Sequence, residues 1–146
     1  MKKLLIMMMV SCLMMLCSVG FAADDHKALG KQQQVAEKIM DAFDGEPVPL
    51  YAQMSAGFSA NLKKTLNEEG FGRLQKQVKQ KFGTMREARF VAFQRFDQVD
   101  RIIYVAPFTK ERIVSIVFVF DKQNKLVEFS FAPMQQPEAK PAPAKK

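Results

Sequence analysis

The stretch that decides the fold is residues 112–131, which read RIVSIVFVFDKQNKLVEFSF. Residues 112–120 predict a strand, because they form an apolar run rich in β-branched and aromatic residues that only Ser115 interrupts. The polar segment 121–125 predicts a tight turn, and the alternation in residues 126–131 predicts a partner strand. The stretch therefore predicts an antiparallel hairpin whose first strand is apolar on both faces.

Two further strands are predicted on the amino-terminal side of this hairpin, over residues 89–96 and 101–108. Asp97 and Asp100 lie between them and are assigned to the connecting turn, where short acidic side chains are common. The alternation in the earlier strand predicts one face with Phe90, Ala92 and Phe96 and another with Val91 and Phe93.

The chain before residue 86 has helical rather than strand periodicity. A first amphipathic helix is predicted from the spacing of Ala28, Val35, Ala36, Ile39, Met40 and Phe43. A shorter helical stretch covers residues 51–66, and a third helix lies between Asn67 as N-cap and Gly83 as a left-handed C-terminal residue. Gly70 and Gly72 weaken the beginning of that helix and move its expected start towards Phe71. The order predicts an α+β domain with N-terminal helices packed on a curved antiparallel sheet of about four strands.

The amino terminus has the layout of a secretory signal peptide over residues 1–22. Lys2 and Lys3 precede an apolar run, and Gly20-Phe21-Ala22 supplies small residues at the −3 and −1 positions of a cleavage site. The run is shorter than the roughly 20 apolar residues of a membrane-spanning helix. Periplasmic or secreted localisation is therefore expected, with no membrane span after cleavage. Lipidation at Cys12 is the alternative, since residues 9–12 loosely fit a lipoprotein pattern.

Cleavage would leave one predicted domain, residues 23–133, and a Pro/Ala/Lys-rich tail, residues 134–146, that is expected to be disordered. Both cysteines of the chain, Cys12 and Cys17, lie in the signal peptide. The processed chain would thus have no disulfide, no thiolate nucleophile and no cysteine-ligated metal. Loss of Lys2 and Lys3 lowers the formal charge from +7 to +5, which favours acidic partners.

The order of helices, Gly83 and four strands resembles a bacterial exported family of unknown function within the nuclear transport factor 2-like (cystatin-like) superfamily. The residues that carry the resemblance are Val35–Met40, Leu62–Leu66, Gln80–Gly83 and Val117–Leu126. The resemblance implies a cone in which a bent sheet wraps around helices and leaves a pocket at its open end. Members include enzymes as well as binding and dimerisation modules, so the resemblance implies the fold and leaves the activity open.

An enzyme of this kind would need an acid or base in that pocket. His26 is the only histidine and lies ahead of the predicted core, so no histidine-dependent dyad or triad is predicted. Glu128 is the only carboxylate within a predicted strand run and is the first candidate base, with Tyr104 as the second. No cofactor is expected.

The preferred interpretation of the same pocket is that it binds a ligand without catalysing a reaction. Aromatic side chains dominate its candidate lining residues and suit a small apolar molecule. The same side chains would also suit a closed core without a pocket. The candidates are Tyr51, Phe82, Phe90, Gln94, Phe96, Phe118 and Phe129. A metal site is conditional, because only cleavage after Ala23 would place His26 third from a free amine, in a geometry that suits Cu(II) or Ni(II).

The third interpretation is that the protein associates with another copy of itself. Helices can cover only one face of a sheet, so a strand that is apolar on both faces predicts a second covering layer. We expect a homodimer formed through the outer sheet face, as an isologous contact. Basic residues also admit an anionic envelope component as a partner, whereas nucleic acid is not expected for an exported chain. The sequence thus predicts an exported, non-catalytic binding or interaction module, with a small pocket enzyme that uses a strand carboxylate or tyrosine as the alternative.

Overall fold

The computed structural model describes residues 19–45 and 48–134, with side chains described from Lys27 onwards. Within the described residues, four helices come first: α1 (Val19–Asp44), α2 (Tyr51–Ser55), α3 (Ala60–Thr65) and α4 (Glu68–Phe82). Four strands follow in the same part of the chain: β1 (Arg89–Arg95), β2 (Val99–Ala106), β3 (Val114–Asp121) and β4 (Leu126–Pro133). The predicted α+β class and the helices-then-strands order are confirmed. Most of the predicted signal peptide and tail lies outside the described residues.

The long helix α1 and the helix α4 form where the predicted apolar stripes lie. On α1 the buried side chains recur at spacings of three and four, at Gln32, Ala36, Ile39, Met40 and Phe43. On α4 the Asn67 side chain accepts a hydrogen bond from the Gly70 backbone N–H at 2.9 Å and so caps the helix. The cap draws Gly70 and Gly72 into the helix, so α4 begins at Glu68 and the expected start near Phe71 is wrong.

The strands form one antiparallel sheet in the order β1-β2-β3-β4. One face of the sheet, called here the inner face, lies against the helices, and on β3 it carries Val114, Ile116, Phe118 and Phe120, all fully buried. The opposite, outer face carries the alternate residues. Phe118 pairs with Phe129 and Ile116 with Phe131 across β3 and β4, which places both β4 rings on the inner face.

Aromatic contacts join the helices to this inner face. The ring of Phe43 on α1 lies 4.7 Å from that of Phe131, centroid to centroid, and Phe71 on α4 lies 6.5 Å from Phe129. Phe129 stacks on Phe118 with ring planes only 18° apart. Phenylalanine rings thus fill the space between the helices and the sheet. Each ring pair stabilises the folded state beyond the free energy gained by burying the rings.

A bulge in β1 corrects the predicted faces of that strand. Phe90 pairs with Tyr104 while Ala92 pairs with Ile103, so Val91 is an extra residue without a partner. Side chains of paired residues alternate between the two faces of a sheet. Because Val91 is unpaired, Ala92 takes the position that follows Phe90 in this alternation. Phe90 and Phe93 therefore share the inner face and Ala92 lies on the outer face, contrary to the simple alternation.

The end of α4 is fixed by a glycine that no other residue replaces easily. Gly83 has φ +87° and ψ −151°, so its φ is positive as predicted, but its ψ lies outside the left-handed helical region. That combination is open essentially to glycine alone. It turns the chain sharply, and the Lys110 backbone N–H donates to the Phe82 carbonyl at 2.8 Å. The residue thus docks the loop after β2 against the end of α4.

Candidate functional site

The most strongly constrained polar group in the described chain is the carboxylate of Asp100. Asp100 lies at the beginning of β2, is 1% exposed and faces α1. Its Oδ2 accepts from Nε2 of Gln32 at 2.9 Å, and its Oδ1 accepts from Nζ of Lys122 at 2.7 Å and from Nε of Arg95 at 3.4 Å. Three different elements and a turn are thereby held by one buried charge.

Gln32 extends this network from α1 to the β3–β4 turn. Its Nε2 also donates to Oδ1 of Asn124 at 2.9 Å, and Asn124 has the positive φ of 60° that the tight turn requires. Asp121 closes the same turn, since its Oδ1 accepts from the backbone N–H groups of Gln123 and Lys125. The helix and both hairpin turns at this end of the sheet are therefore cross-linked by polar contacts.

The surroundings of Asp100 determine the pKa of its carboxyl group. Burial alone raises this pKa, but hydrogen bonds from Lys122 and Gln32 and the positive charges of Lys122 and Arg95 outweigh burial, so the pKa lies below its usual value. The sequence-based assignment of Asp100 to a turn is wrong, because β2 begins at Val99, two residues before its predicted start. The isolated acidic residue next to an apolar strand was the only signal available, and two of its three partners, Gln32 and Lys122, are distant in sequence.

The two candidate catalytic residues lie on opposite faces of the sheet. Glu128 pairs with Val119 and points to the outer face, where it is exposed. Tyr104 pairs with Phe90 and Ile116 on the inner face and is 5% exposed. The sheet therefore separates the two side chains, and they do not belong to one site.

The Tyr104 hydroxyl is the more unusual of the two groups. Its ring packs edge-on against Phe90 and Phe118, and its buried oxygen lacks a hydrogen-bond partner of good geometry among the described residues. Burial raises the pKa of Tyr104, the nearby Gln33 amide opposes the rise, and the negative charge of Glu37 adds to it. A phenol held in this way stays protonated at neutral pH.

The seven candidate pocket residues do not converge on a single cavity. Phe82, Phe118 and Phe129 pack into the core between helices and sheet, and the Tyr51 hydroxyl donates to the Leu66 carbonyl. Phe90 lies on the inner face at the β1 edge, 45% exposed, whereas Gln94 and Phe96 lie on the outer side. Four surface clefts in the described part of the chain are lined by other residues.

Among the described elements, the helices pack on the inner face of the sheet and leave the outer face uncovered. Paired residues form three rows across the four strands. The middle row is Ala92, Ile103, Val117 and Ser130; the rows on either side are Gln94, Arg101, Val119 and Glu128, and Arg89, Val105, Ser115 and Ala132. The centre of the face is consequently β-branched and only half-buried, and its charged residues lie to the sides.

Charge is distributed unevenly over this face. Arg101 on β2 lies over the ring of Phe96 at 5.5 Å, and Phe96 is itself 47% exposed at the end of the β1–β2 hairpin. Glu128 on β4 occupies the other end of the same row. One side of the outer face is thus positive and aromatic, and the other is negative.

The conditional metal site at His26 falls on a side chain outside the described part of the structure. Within the described residues there is no group of three or more histidine, cysteine, aspartate or glutamate side chains arranged to hold a metal ion. In the same part of the chain, none of the helices combines the length and the apolar character needed to span a bilayer.

A family model described as "Protein of unknown function (DUF3887)" matches residues 36–129, which run from the middle of α1 to β4. No curated protein and no solved structure matches the chain.

Proposed function

Since the chain belongs to DUF3887, a family of proteins of unknown function, we propose from its geometry that it is an exported, non-catalytic interaction module that self-associates through the outer face. Export rests on the signal-like residues 1–22, and a cone-shaped, nuclear transport factor 2-like architecture rests on the resemblance together with the helices packed on one side of the sheet. The uncovered outer face is the observation that carries the proposal.

The composition of the outer face supports a covering layer. Ile103 and Val117 are neighbours in its middle row, and Val105 and Val119 lie diagonally beside them. Sheets that face water on one side normally alternate apolar and polar residues, whereas these strands place β-branched residues on both sides. Burial of such side chains against a second sheet about 10 Å away is the arrangement found in sandwiches.

The charges on the face support a second copy of this chain as the covering layer. A two-fold axis parallel to the strands and between β2 and β3 would place β2 of one copy against β3 of the other. Ile103 would then meet Val117 of the second copy, and Arg101 would lie beside the second copy's Glu128. An axis across the strands would instead bring Arg101 towards Arg89, a like-charge contact.

Val117→Glu is expected to raise the dimer dissociation constant at least tenfold, because the two-fold axis brings a charge against an apolar side chain twice per dimer. The measurement is sedimentation equilibrium of residues 23–146 between 1 and 100 µM. Leu50→Glu is the matched control, since Leu50 is 69% exposed and lies outside the sheet; it should leave the association unchanged.

A charge exchange tests the orientation with exposed residues only. Arg101→Glu and Glu128→Arg should each weaken the dimer severalfold, and the double variant should restore it, because the pair is reversed rather than removed. A wild-type chain that stays monomeric at 100 µM contradicts the proposal. Single variants that act additively in the double variant contradict the two-fold axis parallel to the strands.

The export part of the proposal is tested by the intact mass of the protein recovered from the envelope fraction of a producing bacterium. Loss of residues 1–22, with Ala23 at the new amino terminus, is the expected result. A lipid-modified chain that begins at Cys12 supports the alternative anchor, and an unprocessed chain in the cytoplasm contradicts export.

A further inference from the structure

A basic cleft lies at the end of the sheet where β2 finishes and β3 begins. Its volume is about 420 Å³, within the range of small-molecule sites. Its residues fall into an apolar group, Val105, Ala106, Pro107 and Ile113, and a charged group, Arg86, Arg89, Arg112 and Glu87. The cleft therefore combines an apolar floor with a surplus of positive charge.

The backbone brings the three arginines together. The Arg86 N–H donates to the Pro107 carbonyl at 2.9 Å, and Met85 pairs with Phe108 in an antiparallel bridge. These contacts hold the segment before β1 alongside the loop between β2 and β3, so that Arg86 and Arg112 meet across the cleft although they are far apart in sequence. The position is a product of the fold and not of a run of basic residues.

None of the three guanidinium groups forms an ion pair with another residue in the described part of the chain, although Glu87 lines the same cleft. Arginines elsewhere in the chain do pair: Arg73 with Glu69, and Arg95 with Asp100. Like charges gathered around a partly enclosed space repel one another, and a bound anion would relieve that repulsion.

The end of β4 lies on the same side of the sheet as the cleft. The Met134 N–H donates to the Ile113 carbonyl at 3.0 Å. Met134, the last described residue, therefore lies beside the cleft.

We propose that this cleft binds an amphiphile whose phosphate group is held by Arg86, Arg89 and Arg112 and whose apolar chain lies on Val105 and Ile113. Guanidinium groups bind phosphate oxygens through paired, charge-assisted hydrogen bonds, which lysine does not reproduce. The apolar floor distinguishes this ligand from free phosphate. The proposal goes beyond self-association: Arg89 and Val105 belong to a side row of the outer face, whereas Arg86 and Arg112 lie outside its three rows.

The test uses octyl phosphate below its micelle concentration, titrated into processed wild-type protein by isothermal calorimetry. We expect binding at least tenfold tighter than for inorganic phosphate, and none for octyltrimethylammonium, which has the same chain and the opposite charge. The double variant Arg86→Gln/Arg112→Gln should weaken octyl phosphate binding at least tenfold. Arg73→Gln is the matched control on α4 and should not change it.

Two results would overturn the proposal: equal affinity for octyl phosphate and inorganic phosphate, or equal loss of binding in the Arg73→Gln control. Vesicles with and without phosphatidylglycerol identify the source of the phosphate. Capture by the anionic vesicles that the double variant abolishes assigns a membrane lipid, whereas binding of monomeric octyl phosphate alone assigns a soluble amphiphile. Sedimentation of the double variant separates the two proposals, since loss of ligand binding is expected with the dimer unchanged.

Discussion

Asp100→Ala is expected to lower the free energy of unfolding by about 3 kcal/mol, because it removes a buried carboxylate that accepts hydrogen bonds from two cations and an amide. The Gln32 amide, fully buried, loses one of its two acceptors. Lys122 and Arg95 are partly exposed and recover water, so the loss stays below that of a fully enclosed ion pair. Urea denaturation followed by circular dichroism measures the change.

Asp97→Ala is the matched control for this loss. Asp97 lies three residues away in the β1–β2 connection, is exposed and makes none of the contacts of Asp100. The control should stay within about 0.5 kcal/mol of wild type. If both variants unfold at the same urea concentration, Asp100 does not stabilise the fold as its contacts indicate.

The lowered pKa of Asp100 predicts the direction in which the free energy of unfolding changes with pH. The folded state holds this pKa below its usual value of 3.8, so the carboxylate stabilises the fold fully above about pH 4 and loses this effect as the pH falls through the lowered pKa. The difference in stability between wild type and Asp100→Asn should be constant from pH 5 to 7 and narrow below pH 4. A difference that grows on acidification would contradict the direction of the shift.

Gly83→Ala is the second large effect, with an expected loss of about 3 kcal/mol from backbone strain and a steric clash. A Cβ at this position would lie 2.0 Å from Oγ1 of Thr109 and 3.1 Å from the backbone nitrogen of Lys110. Thr109 cannot rotate away freely, because its Oγ1 accepts from the Thr84 N–H at 3.0 Å. The thermal midpoint and urea unfolding both report the loss.

Gly72→Ala is the control for the same exchange, made inside the helix that Gly83 ends. Gly72 lies inside α4, and a Cβ there has no neighbour within 4 Å. Alanine should therefore stabilise the protein by about 0.5–1 kcal/mol, the ordinary helical preference. Opposite signs for the two variants are the expected pattern, and a neutral Gly83→Ala would show that the turn after α4 relaxes without cost.

The elements that the sequence predicted well are those whose signal is local. The run from Val114 to Phe120 and the turn at Asp121 contain their own periodicity, and the Asn67 cap is three residues from its partner. The faces of β1 were predicted wrongly because a bulge at Val91 depends on pairing with β2, which the alternation of a single strand does not report.

The candidate sites show the same division more sharply. Asp100 was missed because Gln32 and Lys122 are 68 and 22 residues away from it. The cleft at Arg86 and Arg112 depends likewise on a contact between two loops. Glu128 and Tyr104 each interrupt an apolar pattern, but only the register of the sheet reveals that they face opposite sides. The pattern of a single strand thus identifies unusual residues, but only the tertiary fold shows which residues they contact.

The two outermost strands have a consequence for how the protein behaves at high concentration. β4, with Phe129 and Phe131 in alternation, has the composition of a segment that adds strands from other chains into a growing fibre. Val127 forms a bulge near its beginning and Pro133 ends it, while β1 has its own bulge and charged residues at both ends, Arg89 and Arg95. Such features discourage strand addition at an open edge. Edge-to-edge polymerisation of crowded molecules is thereby disfavoured, and the proposed contact between outer faces would be closed by a two-fold axis after a single pairing.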